Sequence, residues 1–144
     1  MSPVDLVNHV LNVAICLAAV WKGGRPERAA AIVFLLSWLA SLFVWSSLGL
    51  MHSQAAVLVI DTLVLGVFGY LAWQSGRAWL MWAAAFQSIG VSIHFATLLD
   101  LRVSHMAYFW SLSLSAYGVI GSLAVGTFTA WREREALAGS PGAF

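Results

Sequence analysis

Long apolar segments constrain this chain of 144 residues more than any other feature. Short polar stretches divide it into five such segments, covering residues 4–21, 29–50, 55–73, 78–99 and 106–131. At about 1.5 Å of rise per residue, each segment can cross a hydrocarbon layer of about 30 Å as a helix, with modest tilt or thinning. Charged residues make up only 9% of the chain, against about 25% in soluble globular domains. We therefore expect an integral membrane protein.

The surrounding lipid limits the secondary structure of these segments. Backbone amide groups in hydrocarbon must be bonded within the protein, which leaves helices and closed β-barrels. The segments lack the ten-residue alternation of barrel strands, and short connections place neighbouring helices antiparallel. The expected fold is all-α: a single transmembrane domain of five helices, residues 1–131, followed by a short cytoplasmic tail, residues 132–144.

The basic residues indicate the orientation. Six of the seven Lys and Arg residues follow the first, third and fifth segments, and only Arg102 lies on the opposite side. Because short cytoplasmic loops are rich in Lys and Arg, this bias predicts an outside N-terminus and a cytoplasmic C-terminus. The expected location is the bacterial cytoplasmic membrane. A net charge of +1 provides no basic field for nucleic acid, so the expected partners are membrane lipid and another membrane protein or a second copy of the chain.

Three ionisable side chains lie well inside the predicted spans and on the same, outer side. Counted from the nearest outer boundary, His9, Asp61 and His94 each lie about 7 to 9 Å deep. An ionisable side chain at depth costs about 2.5 kcal/mol or more, so these groups should face protein rather than lipid. We predict that at least two of them touch or share one bridging group.

Several kinds of site are compatible with these three residues. His9 and His94 are candidate axial ligands of haem b, and together with Asp61 they are candidate ligands of a divalent metal such as zinc or iron. A His and Asp relay is also suited to proton or ion passage. The alternative is a structural role, in which the three side chains form hydrogen bonds across helix interfaces. Their spacing matches no metal-binding motif.

A second pattern lies in the fifth segment. Gly118, Ser122 and Gly126 recur at four-residue spacing, and such small residues allow another helix to approach closely. The stripe is a candidate interaction site, either within the protein or with a partner helix.

The sequence contains no nucleophile elbow and no glycine-rich phosphate loop, so catalysis has little support. The leading hypothesis is a non-catalytic accessory or scaffold subunit of a membrane complex. The alternatives are a haem b or metal-binding membrane protein, and a small oligomeric channel, transporter or holin-like pore.

Overall fold

The computed structural model describes residues 3–47, 50–99 and 102–139, without the side chains of residues 3–5, 8, 50 and 51. These ranges contain five α-helices and no strand, which confirms the all-α class. The helices are α1 (Pro3–Lys22), α2 (Arg25–Ser47), α3 (Leu50–Ser75), α4 (Ala78–Leu98) and α5 (His105–Ala138).

Three of the described helices are long and apolar enough to cross a membrane: α2, the part of α3 from His52 to Ser75, and α5. The described apolar part of α1, His9–Lys22, is shorter. Large apolar side chains also cover the outside of the bundle, among them Phe43 at 71% exposure and Leu63 at 66%. An apolar surface of this kind fits lipid rather than water.

Except for α4, which lies within residues 78–99, the described helices extend beyond the apolar segments that predict them, and Leu50, the predicted last residue of the second segment, belongs to α3. α2 begins at Arg25, α3 begins at Leu50, and α5 continues to Ala138, so parts of the expected connections and tail are helical. Glu, Gln, Arg and Ala are good helix formers, and Pro26 is tolerated in a first turn. Polarity therefore marks where an apolar segment ends and not where a helix ends. Residues 48–49, 100–101 and 140–144 of the predicted second span, fourth connection and tail lie outside the described ranges.

The five helices form a closed ring in chain order. Each helix packs against the next, and α1 packs against α5, while α2 also touches α5 across the middle. The most extensive contact joins α4 and α5. Along the helix axes, the half of the ring that contains the C-terminal part of α1 is filled by apolar side chains. The largest fully buried ones are Phe68, Leu80, Leu123, Val119 and Cys16.

The small-residue stripe of α5 lies at the α4–α5 contact. A Cβ at Gly118 would overlap the ring of Phe86, and a Cβ at Gly126 would lie 2.5 Å from ring atoms of Trp79. The hydroxyl of Ser122 donates to the carbonyl of Gly118 at 2.7 Å. The space left by the two glycines is therefore occupied by aromatic rings of α4, and not by the backbone of another helix.

A buried carboxylate joins three elements at the end of the ring that is packed with apolar side chains. Glu27, in the first turn of α2, is fully buried. Its Oε1 accepts a hydrogen bond from Trp79 Nε1 at 3.1 Å and lies 3.4 Å from Nη1 of Arg77. Arg77 also pairs with Glu133 of α5, at 3.3 Å between Nη2 and Oε2. The cluster therefore connects the start of α2, the start of α4 and the end of α5.

The turn before α2 leaves room for this carboxylate. A Cβ at Gly23 would lie 2.6 Å from Cβ of Glu27, and a Cβ at Gly24 would lie 2.7 Å from its Oε2. Arg28 Nε donates to the carbonyl of Gly23 at 3.1 Å and fixes the turn. Within the described ranges, Oε2 of Glu27 has no hydrogen-bond partner.

We predict that Glu27→Ala lowers the free energy of unfolding by about 2 to 3 kcal/mol, because Trp79 loses its acceptor and the partly exposed Arg77 loses its buried partner. The matched control is Glu133→Ala, which removes the exposed carboxylate of the same cluster and should cost no more than about 1 kcal/mol. Thermal unfolding in detergent micelles measures both. Equal losses in the two variants would contradict the role given to Glu27.

Candidate functional site

A cavity of about 430 Å³ lies between α2, α3, α4 and α5, in the other half of the ring. Its apolar wall comes mainly from α2 and α5, with Phe34, Trp38, Trp45, Phe109 and Leu112. Its polar wall comes from α3, α4 and α5, with Asp61, Gln87, His94 and Tyr108. One side of the cavity is therefore aromatic and aliphatic, and the other carries ionisable groups.

Asp61 and His94 are in contact at this wall. Oδ2 of Asp61 lies 3.4 Å from Nε2 of His94, which confirms the prediction that two of the three deep ionisable residues touch. Gln87 Nε2 donates to Oδ1 of Asp61 at 3.1 Å and is 3.4 Å from the backbone carbonyl oxygen of Asp61. The His94 side chain is 4% exposed and that of Asp61 is 21% exposed, so the carboxylate is the more accessible member of the pair.

The second ring nitrogen of His94 is engaged as well. Nδ1 lies 3.0 Å from Oε1 of Gln54, whose Nε2 donates to the hydroxyl of Tyr108 at 3.1 Å. The Tyr108 ring also packs nearly perpendicular to the imidazole, with ring centroids 5.8 Å apart. His94 is therefore held from two sides, by α3 and by α5.

Sequence reasoning missed Gln54 and Tyr108. Gln54 belongs to the tetrapeptide MHSQ, which its polarity marked as a connection, whereas in the structure it lies in the second turn of α3. Tyr108 lies 54 positions away from Gln54 in the chain, and no local pattern links them. Their one sequence signal is that both lie within a turn or two of the same predicted membrane boundary as His94.

Asp61 keeps unused capacity to accept hydrogen bonds in the cavity wall. Each of its oxygens has one protein contact, and a carboxylate offers about four lone-pair sites. The serine hydroxyls of the wall instead donate to backbone carbonyls: Ser37 to Phe34, Ser41 to Ser37, and Ser115 to Phe86. A molecule in the cavity would therefore meet Asp61 as its main polar partner.

His9 does not join this pair. Its ring lies against Trp38, with centroids 5.2 Å apart, and its buried Nδ1 has no hydrogen-bond partner among the described residues. The physical reason is the ring topology: in the described part of the bundle α1 packs against α2 and α5, and not against α3 or α4, which carry Asp61 and His94. Trp38 lines the cavity, so His9 lies behind the cavity wall.

This placement bears on the metal and haem hypotheses. The described residues contain no group of three or more His, Cys, Asp or Glu side chains that could hold a metal ion, so His9, Asp61 and His94 do not form the expected three-residue set. Haem ligation by His94 would require one ring nitrogen to leave Gln54 or Asp61. The described residues therefore give a metal ion no prepared set of three ligands, and haem ligation by His9 and His94 stays a prediction.

Comparison with protein-family models, with curated proteins and with solved structures finds no match for this chain. A helical bundle by itself implies no activity. The cavity and the residues that line it are therefore the features from which a function can be inferred.

Proposed function

We propose that the chain is an integral protein of the bacterial cytoplasmic membrane that spans it five times, with its N-terminus outside and its C-terminus in the cytoplasm. The closed ring supports five spans, because α1 and α4 pack along helices that are long and apolar enough to cross. With 20 and 21 residues, α1 and α4 are each about 30 Å long. The excess of basic residues at one end supports the orientation.

A reporter fused after Phe144 tests the orientation. We expect activity from a reporter that works only in the cytoplasm, because Arg132 and Arg134 keep the preceding boundary inside. A reporter that requires export, fused at the same position, is the control. Strong activity of the reporter that requires export would mean that the C-terminus lies outside. The cavity would then lie in the cytoplasmic half of the membrane instead of the outer half.

We propose further that the protein binds a small hydrophobic cation in the cavity between α2, α3, α4 and α5, and that it does so without catalysis. The observation that carries this proposal is the Asp61 carboxylate, part-exposed in the wall of a cavity of about 430 Å³. This volume lies within the range of about 300 to 1,000 Å³ that is usual for small-molecule sites. Such sites are largely apolar, with a few polar groups that orient the ligand.

The chemistry of the wall favours a cation over an anion. Among the described residues that line the cavity, Asp61 is acidic and none is Lys or Arg. Lys22, Arg77 and Arg134 belong to the opposite end of the bundle, and Arg102, at the same end as the cavity, is not part of its lining. The aromatic rings of Trp38, Trp45 and Tyr108 also line the cavity, and a cation over an aromatic face gains about 0.5 to 2 kcal/mol. A ligand with an apolar body and one positive charge would use both kinds of wall.

The packing of the bundle favours a binding site over a pore through one chain. Phe68, Leu80 and Leu123 are almost completely buried in the half of the ring beyond the cavity. Close-packed side chains leave little room for water or ions. The cavity therefore ends at this apolar layer, and Asp61 faces a site that is closed on that side instead of a continuous path.

Equilibrium binding of benzyltrimethylammonium to the protein in lipid nanodiscs tests the proposal. This probe keeps its charge at every pH, so a change in affinity reports on the protein. We expect Asp61→Asn to weaken binding at least tenfold, since it removes the charge with little change in volume. The neutral isostere of the probe, with carbon in place of nitrogen, should bind the original protein and Asp61→Asn equally.

Glu133→Gln is the matched control, because it neutralises a carboxylate at the other end of the ring and should leave binding unchanged. Empty nanodiscs give the partition of the probe into lipid, which is subtracted. Equal affinity of the original protein and Asp61→Asn for the charged probe would reject the cation site.

An accessory or scaffold role is the second candidate, and a groove on the outside of α4 and α5 favours it. The groove has a volume of about 560 Å³, and its floor includes Gly118, Gly121 and Ser122, with Trp82 and Tyr117 at its sides. A Cβ at Gly121 would meet no atom of the described chain within 4 Å. Small residues beside exposed aromatic rings can accept a helix of another membrane protein or of a second copy.

Gly121→Leu and Gly118→Leu separate this role from internal packing. The side chain introduced by Gly121→Leu would fill the groove without disturbing the chain, so we expect this variant to keep the thermal unfolding midpoint and to lose any bound copy or partner. Gly118→Leu should lower the midpoint, because Phe86 occupies that space. Native mass spectrometry in mild detergent reads the assembly state. An unchanged assembly with Gly121→Leu would exclude the groove as an interface.

A further inference from the structure

A groove runs between α1 and α5 at the end of the ring opposite to the cavity. Its apolar part has a volume of about 210 Å³ and is lined by Ile15, Ala18, Ala124, Phe128 and other side chains. A second part of about 270 Å³ is lined by Trp21, Arg134, Glu135 and Ala138. Lys22 and Trp131 line both parts, so the two meet at this pair.

The polar part of the groove carries more basic than acidic groups. Lys22 Nζ lies 4.8 Å from the centre of the Trp131 ring, and Arg134 lines the same space. The guanidinium of Arg132 lies 5.9 Å from the centre of the Phe128 ring, at the edge of the apolar part. Glu135 opposes these charges, as does the negative partial charge at the C-terminus of α1. Of the side chains that line the groove, Lys22 and Arg134 are basic and Glu135 is acidic, which favours an anion.

The apolar part of the groove lies within the depth of one leaflet. From Ile15 to Lys22 and from Ala124 to Trp131 the chain advances seven residues, or about 10 Å along each helix. Half of a hydrocarbon layer of about 30 Å is about 15 Å, so the apolar part covers about two thirds of the depth of one leaflet. Beyond Trp131, α5 continues to Ala138 and forms one side of the basic part at the level of the headgroups.

We propose that this groove is a binding site for one anionic glycerophospholipid. One acyl chain lies against Ala18 and Ala124, the glycerol lies beside Trp131, and the phosphate is held between Lys22 and Arg134. A lipid is the occupant that the groove fits, because an apolar part that opens on the lipid-facing surface continues directly into a basic one. Trp21, which is 82% exposed at its edge, marks the interface. The site is independent of the cation site proposed for the cavity.

Lipid titration of the delipidated full-length protein, followed by native mass spectrometry, tests the proposal. Phosphatidylglycerol and phosphatidylcholine with identical acyl chains are compared. Each basic residue near an anionic headgroup contributes about a fivefold gain in affinity. We therefore expect phosphatidylglycerol to bind at least fivefold more tightly, and Lys22→Gln and Arg134→Gln each to weaken it about fivefold. Arg25→Gln, which removes a basic residue at the same end but outside the groove, is the matched control.

Two further measurements separate a lipid site from a simple anion site. Ala18 is exposed, so Ala18→Phe should fold normally, fill the apolar part and weaken the binding of both lipids. Glycerophosphoglycerol, the same headgroup without acyl chains, should bind at least a hundredfold more weakly than the lipid. Equal binding of the two lipids, equal effects of the Lys22, Arg134 and Arg25 substitutions, or an unchanged affinity with Ala18→Phe would each overturn the proposal. Tight binding of the headgroup alone would also overturn it, in favour of a free anion.

Discussion

An ionisable group inside an apolar bundle must find its partners within that bundle, and the arrangement of this protein depends on how Glu27 meets this requirement. The carboxylate is fully buried, and it accepts from Trp79 and pairs with Arg77. Any arrangement that separated α2 from the start of α4 would leave a charge unpaired in apolar surroundings, which costs several kcal/mol. The contact therefore selects which helix ends meet, whatever its net contribution to stability.

The second polar cluster satisfies the same requirement differently. Asp61 and His94 find partners in each other and in Gln87 and Gln54, yet the Asp61 side chain keeps 21% of its surface exposed, whereas that of Glu27 has none. Protein side chains already stabilise the Asp61 carboxylate in this position, so a ligand does not have to supply that stabilisation. The remaining acceptor sites are then free to orient a molecule in the cavity. Glu27, at one end of the ring, is thus fully enclosed by protein, whereas Asp61, towards the other end, stays accessible.

Aromatic residues connect these two ends with the rest of the bundle. Trp79 donates a hydrogen bond to Glu27 through its indole nitrogen, and its ring fills the space over Gly126. The ring of Phe86 fills the space over Gly118. On the other side of the ring, Trp38 separates His9 from the cavity. Large rings beside glycines let helices of a small protein interdigitate where side chains of medium size would leave gaps.

The sequence by itself determined the helical class and the approximate positions of the five helices, because apolar length and composition act locally. It also indicated that deep ionisable residues would pair, since the cost of leaving them unpaired holds for any bundle. Only the tertiary structure decided which of them do. His9 does not contact Asp61 or His94, because the closed ring places α1 beside α2 and α5. Gln54 and Tyr108 join the cluster around His94, because their helices begin before or near the polar boundary. Which helices are neighbours, and which of their faces meet, depends on contacts between residues that are tens of positions apart, and no local pattern in the chain carries that information.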